Sequence, residues 1–169
     1  MVGVAAPMTS SYIVERSLYN AAAQVQQDIR LALQLAITHS TTSKFRIHFD
    51  PTNNEYKIEA SEDANYETPA GKIITRNFND AYGFPVYFGI DDPKSVVFSV
   101  SNVPVIGDTI DLNFDNQGRP QIFIFGFLIP PYPIPCDGGY INLQNSSGSK
   151  IIKVEVSVIG RIHITWVQR

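Results

Sequence analysis

The chain has 169 residues, of which 44% are hydrophobic and 17% charged, with a formal net charge of -3. Such a composition describes one folded domain with a lightly charged surface and excludes a disordered chain. The overall acidity offers nucleic acid no general attraction, so binding of that kind needs a local basic patch. One cysteine, Cys136, excludes an intrachain disulfide and a Cys-rich metal site, and no run of residues approaches the ~20 apolar positions of a membrane span.

In chain order, the first element is a helix over residues 13–40. Val14, Leu18, Ala21, Ala22, Val25, Ile29, Ala32, Leu33 and Ala36 recur at three- and four-residue steps and form one apolar stripe. Arg16, Asn20, Gln24, Gln27, Arg30 and Gln34 fall mostly off it. The segment after Pro7 offers Thr9, Ser10 and Ser11 as N-caps; the other reading continues the helix upstream with a kink at Pro7.

The period then changes to two. Phe45, Ile47 and Phe49 alternate with Lys44, Arg46 and His48, and "DPTNN" turns the chain into a second alternating run through Tyr56 and Ile58. Residues 60–95, rich in Asn, Asp, Gly and Pro but dotted with aromatics, read as one long, irregular and partly packed excursion. Strands resume at "SVVFSV", "TIDLNF" and "QIFIFGFLI", with "DNQGRP" as a tight turn before the last of these. "PPYPIP" reads as an extended polyproline connector. A closing hairpin joins "YINLQ" to "KIIKVEVSV", which is expected to run on through a bend at Gly160 into "RIHITW" with its even positions on one face. One long N-terminal helix followed only by strands implies an α+β domain, the helix stripe packed on antiparallel sheet.

The chemistry-bearing residues are sparse. His39, His48 and His163 lie far apart, without the close ligand spacing of a metal site, and read as surface histidines. Neither a nucleophile elbow nor a phosphate-cradling glycine loop occurs, which points away from an enzyme, a cofactor or a small-molecule substrate. Asp108, Asp111, Asp115 and Asn116 read as solvated strand and turn groups rather than a calcium loop. Cys136 has neither a base nor a second cysteine beside it in sequence and reads as a spectator. Lys153, Arg161, His163 and Arg169 all hold odd positions, so the last strand carries a candidate basic face, read first as solvated and second as a contact for DNA or another anion.

Several segments together resemble GspH/FimT-type minor pseudopilins of type II secretion and type IV pilus machines. "VGVAAP" is similar to the end of the hydrophobic pilin helix, and "AAAQVQQDIRLALQLAI" to its amphipathic continuation. "FRIHFDPTNNEYKI" is similar to the first hairpin of that family, "FDNQGRP" to its Phe-Asp-x-x-Gly turn, and "YINLQNSSGSKIIKVEVSVIGRIHI" to its closing hairpin with a Gly-Arg step. The resemblance covers about three quarters of the chain, leaving residues 60–95 and 126–137 as private insertions.

It implies that residues 1–12 are the remnant of a membrane helix entered by a new start, that 13–40 form the amphipathic helix, and that 41–169 form the β-rich part of the same domain. The missing helix would anchor the protein in the bacterial inner membrane, with the globular part periplasmic, before assembly into a pseudopilus or pilus. Val4, Pro7, Ile13, Val14 and Leu18 are then expected to pack against other pilins or lipid, and the outer loops to meet neighbours or secreted cargo. Two other readings stand beside this one: a DNA-capturing minor pilin that uses the basic strand, and a β-rich module that binds sugars or peptides through 60–95. Some family members bind DNA through a Gly-Arg-x-Arg step; in Gly160-Arg161-Ile162-His163 a histidine stands at the second arginine.

Overall fold

A computed structural model describes residues 5–38, 45–61, 69–78, 86–89, 96–105, 109–126 and 129–167. Helix α1 spans Ala5–Thr38, 34 residues. It therefore starts upstream of the position expected from the stripe, and Pro7 lies within its first turn. A backbone N–H there has no intrahelical partner, so proline costs little. The stripe itself is seen: Leu18, Ala21, Ala22, Val25, Ile29, Ala32 and Ala36 are all buried. At roughly 1.5–3 kcal/mol for each large apolar side chain, this face supplies what a solitary helix lacks.

Among the described residues twelve strands follow: β1 (Phe45–Asp50), β2 (Glu55–Ser61), β3 (Pro69–Asn77), β4 (Val86–Phe88), β5 (Val96–Val100), β6 (Val103–Val105), β7 (Ile110–Phe114), β8 (Pro120–Gly126), β9 (Ile129–Pro135), β10 (Gly138–Asn145), β11 (Ile151–Ser157) and β12 (Ile162–Val167). One sheet has the order β3-β2-β1-β7-β8-β9; the other has β12-β11-β10-β5-β6, with β4 beside β10. Every described pairing is antiparallel. The helix touches β1 and β7 of the first sheet and β4, β10, β11 and β12 of the second, so one apolar stripe closes over both. The molecule is α+β.

Between the sheets the rings interlock. Phe49 of β1 meets Phe88 of β4 edge-on with centroids 6.3 Å apart. Phe78 lies 5.2 Å from Phe88 and 5.5 Å from Tyr56. Asn54, buried in the β1–β2 turn, donates from Nδ2 to the Val86 carbonyl at 2.8 Å and accepts from the Phe88 N–H at 3.0 Å. That exchange stitches β4 to the first hairpin.

Three expectations are corrected. The excursion at 60–95 contains two strands, β3 and β4, and its Phe78 and Phe88 are fully buried core residues. The period-two signal of β3 is masked by Gly71 and by register shifts against β2, which break the alternation. "PPYPIP" belongs to β9, paired with β8. The Cys136 N–H donates to the Pro120 carbonyl at 3.1 Å, so Pro133 and Pro135 occupy the alternate positions whose nitrogens face away from β8. Finally, β11 does not run through Gly160. The Ser157 N–H bonds the Arg161 carbonyl at 2.8 Å and the Gly160 N–H bonds the Ser157 carbonyl at 2.9 Å, closing a hairpin turn. Gly160 has φ +73, and a Cβ added there would lie 2.3 Å from the Gly118 carbonyl oxygen, so both conformation and space demand glycine. The even positions of β11 and the first of β12 still face the core, because the hairpin preserves the alternation.

Candidate functional site

The odd positions of β11 and β12 do share one face of the second sheet. Lys153 stands opposite Thr165 and Glu155 opposite His163. Glu155 therefore interrupts the expected basic face. Lys153 Nζ lies 3.6 Å from Glu155 Oε1 and 4.7 Å from the centre of the Tyr140 ring. These contacts fold its charge back onto its own sheet. Arg161 and His163 are exposed and make no side-chain hydrogen bond or ion pair among the described residues. Arg169 lies outside the described residues. Beside this face, Ser99, Asp137, Tyr140, Glu155 and His163 line a shallow open depression of about 450 Å³, whose carboxylates oppose a polyanion as much as Arg161 favours one.

The residues assigned to subunit packing separate. Leu18 is 1% exposed and Val14 packs on the same cluster, so both serve this chain's own core, which corrects the expectation that they face neighbours. Ile13 remains 39% exposed. Val4 lies outside the described residues, as does the side chain of Pro7. The exposed apolar residues of α1 are Tyr12, Ile13 and Tyr19 near its start and Ile37 at its end, while Ala21, Ala22, Val25, Ile29, Ala32 and Ala36 are buried against the sheets. Among the described residues no helix is long and apolar enough to cross a membrane.

Two ionic clusters form that sequence reading missed. On α1, buried Asp28 accepts from Gln24 Nε2 at 3.1 Å, the Tyr56 hydroxyl at 2.7 Å and Arg76 Nε at 3.0 Å. It ties the helix to β2 and β3. On the outer face of the first sheet, Asp111 is 2% exposed at its side chain, so its assignment as a solvated carboxylate is corrected. Arg46 Nη1 lies 2.9 Å from Asp111 Oδ2, and Arg46 Nη2 lies 2.7 Å from Glu59. His48 Nδ1 lies 2.5 Å from Asp111 Oδ1. This network joins β2, β1 and β7.

The Asp111 hydrogen bond raises the His48 pKa above its usual 6.5; burial opposes it, the Asp111 and Glu59 charges reinforce it, and Arg46 opposes it. A carboxylate on Nδ1 orients an imidazole as in general-base catalysis. Among the described residues, however, His48 bonds Asp111 alone, with no hydroxyl or thiol at its other nitrogen. The arrangement is a brace between strands. Asp111 and Asp115 are drawn apart, since Asp115 accepts the Gln117 and Arg119 N–H groups of its own turn at 2.9 and 2.8 Å. Cys136 is buried, and burial pushes its thiol up to about 11, the reverse of what a reactive cysteine needs.

The signal for the Asp111 cluster lies in no local pattern, because His48 and Asp111 are 63 residues apart and meet only through the β1–β7 register. In comparisons with protein-family models, curated proteins and solved structures, nothing matches this chain.

Proposed function

We propose that this chain is a structural subunit of the minor pseudopilin kind, which acts by packing beside other pilins in a type II secretion pseudopilus or type IV pilus. The observation that carries this reading is the division of α1. From Leu18 to Ala36 its stripe is consumed by the sheets, whereas near its start the helix exposes Tyr12, Ile13 and Tyr19, with Ile37 the one exposed large apolar residue at the other end. A helix stabilised at one end by its own domain and apolar-exposed at the other suits lateral packing of helices, driven by burial of apolar surface. The α+β layout and the ordered series of resembling segments agree with it. In such a subunit Ile13, with Val4 and Pro7 upstream, meets neighbours or lipid, and Val14 and Leu18 hold the helix to its own domain.

The experiment is to read the native gene upstream of the Val2 codon. An apolar run with a glutamate near its start, behind a short basic leader ending in glycine, is the expected result. A stop codon or a polar domain there removes the reading.

DNA capture is the second reading, favoured by exposed Arg161 on the closing turn and weakened by Glu155 between Lys153 and His163. Under it, Arg161→Ala lowers DNA affinity and binding falls steeply with salt. Salt-independent binding rules it out.

A further inference from the structure

Among the described residues the two sheets present five outer strands, β3, β9, β4, β6 and β12. Four are blunted in ways that block pairing with another chain. β4 is three residues long, and Asn54 takes its outward Val86 carbonyl and Phe88 N–H. β3 begins at Pro69 and carries two register shifts against β2. β9 contains Pro130, Pro131, Pro133 and Pro135. β6 is only Val103–Val105, with Pro104 at its centre. By contrast, β12 pairs with β11 in unbroken register from Ile162 to Val167 and contains neither proline nor lysine.

The direction of its backbone groups follows from the hairpin turn. Because the Ser157 N–H bonds the Arg161 carbonyl, His163 and Thr165 point their N–H and C=O groups at β11. Ile162, Ile164 and Trp166 therefore point theirs outward. The Gln26 side-chain amide, which reaches the Ile162 carbonyl at 3.0 Å, confirms that direction and caps one position of the edge. Among the described residues nothing caps Ile164 or Trp166.

Exposed aromatics flank this open stretch. Trp166 is 46% exposed and, with Glu15 of α1, lines a depression of about 310 Å³. Tyr12 and Tyr19, at 62% and 52% exposure, stand three residues before and four after Glu15, on the same helix stripe. An apolar alternating strand, uncapped backbone groups and exposed aromatics thus lie along one edge.

We propose that β12 is a self-association edge, which pairs antiparallel with β12 of a second copy of this chain about a two-fold axis. With Gln26 left in place, the register sets Ile164 of one copy opposite Trp166 of the other, and the reverse, as two hydrogen-bonded pairs. His163 then faces Val167 and Thr165 faces Thr165, so no like charges stand opposed and the edge is complementary to itself. The two-fold keeps both helices on the same side of the joined sheets, which brings Tyr12, Tyr19 and Trp166 of each copy into the seam. Aromatic residues of this kind are enriched in interfaces. Half of three aromatic side chains amounts to on the order of 300 Å² per copy, well short of the ~800 Å² per partner of a standard interface. The dimer is accordingly weak and concentration-dependent.

The proposal does not rest on the pseudopilin reading, since a monomer would overturn it and leave the upstream gene unaffected. It is tested by measuring mass in sedimentation velocity from about 1 to 300 μM, the range in which weak association is populated, together with tryptophan emission. Trp166 is the only tryptophan, so its emission reports this edge alone. Expected are a rise toward twice the monomer mass and a blue shift over the same concentrations. Trp166→Lys and Tyr19→Lys should stay monomeric with unchanged circular dichroism, while Val103→Lys on the blunted β6 edge should associate like the parent. Tyr19→Lys keeps the fluorophore and changes an exposed helix position, so the test survives if Trp166→Lys does not fold. A monomer at every concentration overturns the proposal and leaves the edge to a strand of a different protein. A dimer that forms without a shift in emission overturns it too, because that interface lies elsewhere.

Discussion

Asp28 and Asp111 are both buried carboxylates held by an arginine and a second donor from the sheets, with Gln24 of α1 adding a third at Asp28, yet they join different things. Asp28 fastens α1 to β2 and β3 through Tyr56 and Arg76. Asp111 fastens β7 to β1 through Arg46 and His48. The second donor makes the difference. An ordinary tyrosine hydroxyl keeps its proton between pH 5 and 8, whereas a histidine changes charge there. One ionic design therefore yields a clamp indifferent to physiological pH and a seam that responds to it.

The largest effect should come from removing either acceptor. Asp28→Ala leaves the Tyr56 hydroxyl buried without its carboxylate and removes the ion pair to Arg76, whose side chain is 38% exposed, for a cost of about 2–4 kcal/mol. Asp111→Ala should cost less, about 1–3 kcal/mol, because Arg46 retains Glu59 as a partner. Urea denaturation of both variants measures the order. If Asp111→Ala proves the more damaging, the helix clamp is the lesser of the two joints and the comparison is reversed.

How visible these joints were beforehand follows from their range in sequence. The stripe from Leu18 to Ala36 is legible because helical periodicity is local, and the alternation in β1, β2 and β11 is legible for the same reason. β9 is hidden because prolines read as a connector until the pairing shows their nitrogens turned outward. Asp28 is hidden by a neighbouring arginine, Arg30, which suggests a local charge step when the actual partners come from β2 and β3. The Asp111 cluster needs the β1–β7 register, and no spacing within one segment encodes it. On the candidate DNA face, counting odd positions placed Lys153 and His163 correctly. Glu155, the acid that dilutes this face in sequence, sits between them.

pH sharpens the comparison next. His48 binds its proton more tightly in the folded chain than in the unfolded one, where 6.5 applies. Its contribution to stability is therefore fully present below pH 6.5, and it is lost as the pH rises through the higher folded value. His48→Gln should flatten that decline while costing on the order of 1 kcal/mol at low pH. Unfolding free energies measured from pH 5.5 to 9 in both proteins test this. The clamp at Asp28 predicts no such slope, so Tyr56→Phe should lower stability by about 1 kcal/mol equally at every pH. A pH slope that survives in His48→Gln would mean that another group carries it.

The smallest effect belongs to Glu59, and it separates charge from contact. Glu59 touches Arg46 and sits across from it on β2. It makes no hydrogen bond to His48, yet its charge helps to raise the histidine's pKa. Glu59→Gln keeps an acceptor for Arg46 at nearly the same place, so the stability lost at neutral pH should stay below about 1 kcal/mol, as for a partly exposed pair. The electrostatic consequences act in one direction. Losing Glu59 removes one negative charge from the field at His48, and it also frees the Arg46 charge to turn more fully onto Asp111, where it competes with the imidazolium for the same carboxylate. Both changes lower the His48 pKa toward its unfolded value, so the fall in stability should end at lower pH and become shallower. A two-dimensional NMR titration of the His48 ring reads this midpoint directly. If the midpoint stays where it was, the direct bond to Asp111 sets the seam's pH response unaided and the surrounding charges are spectators.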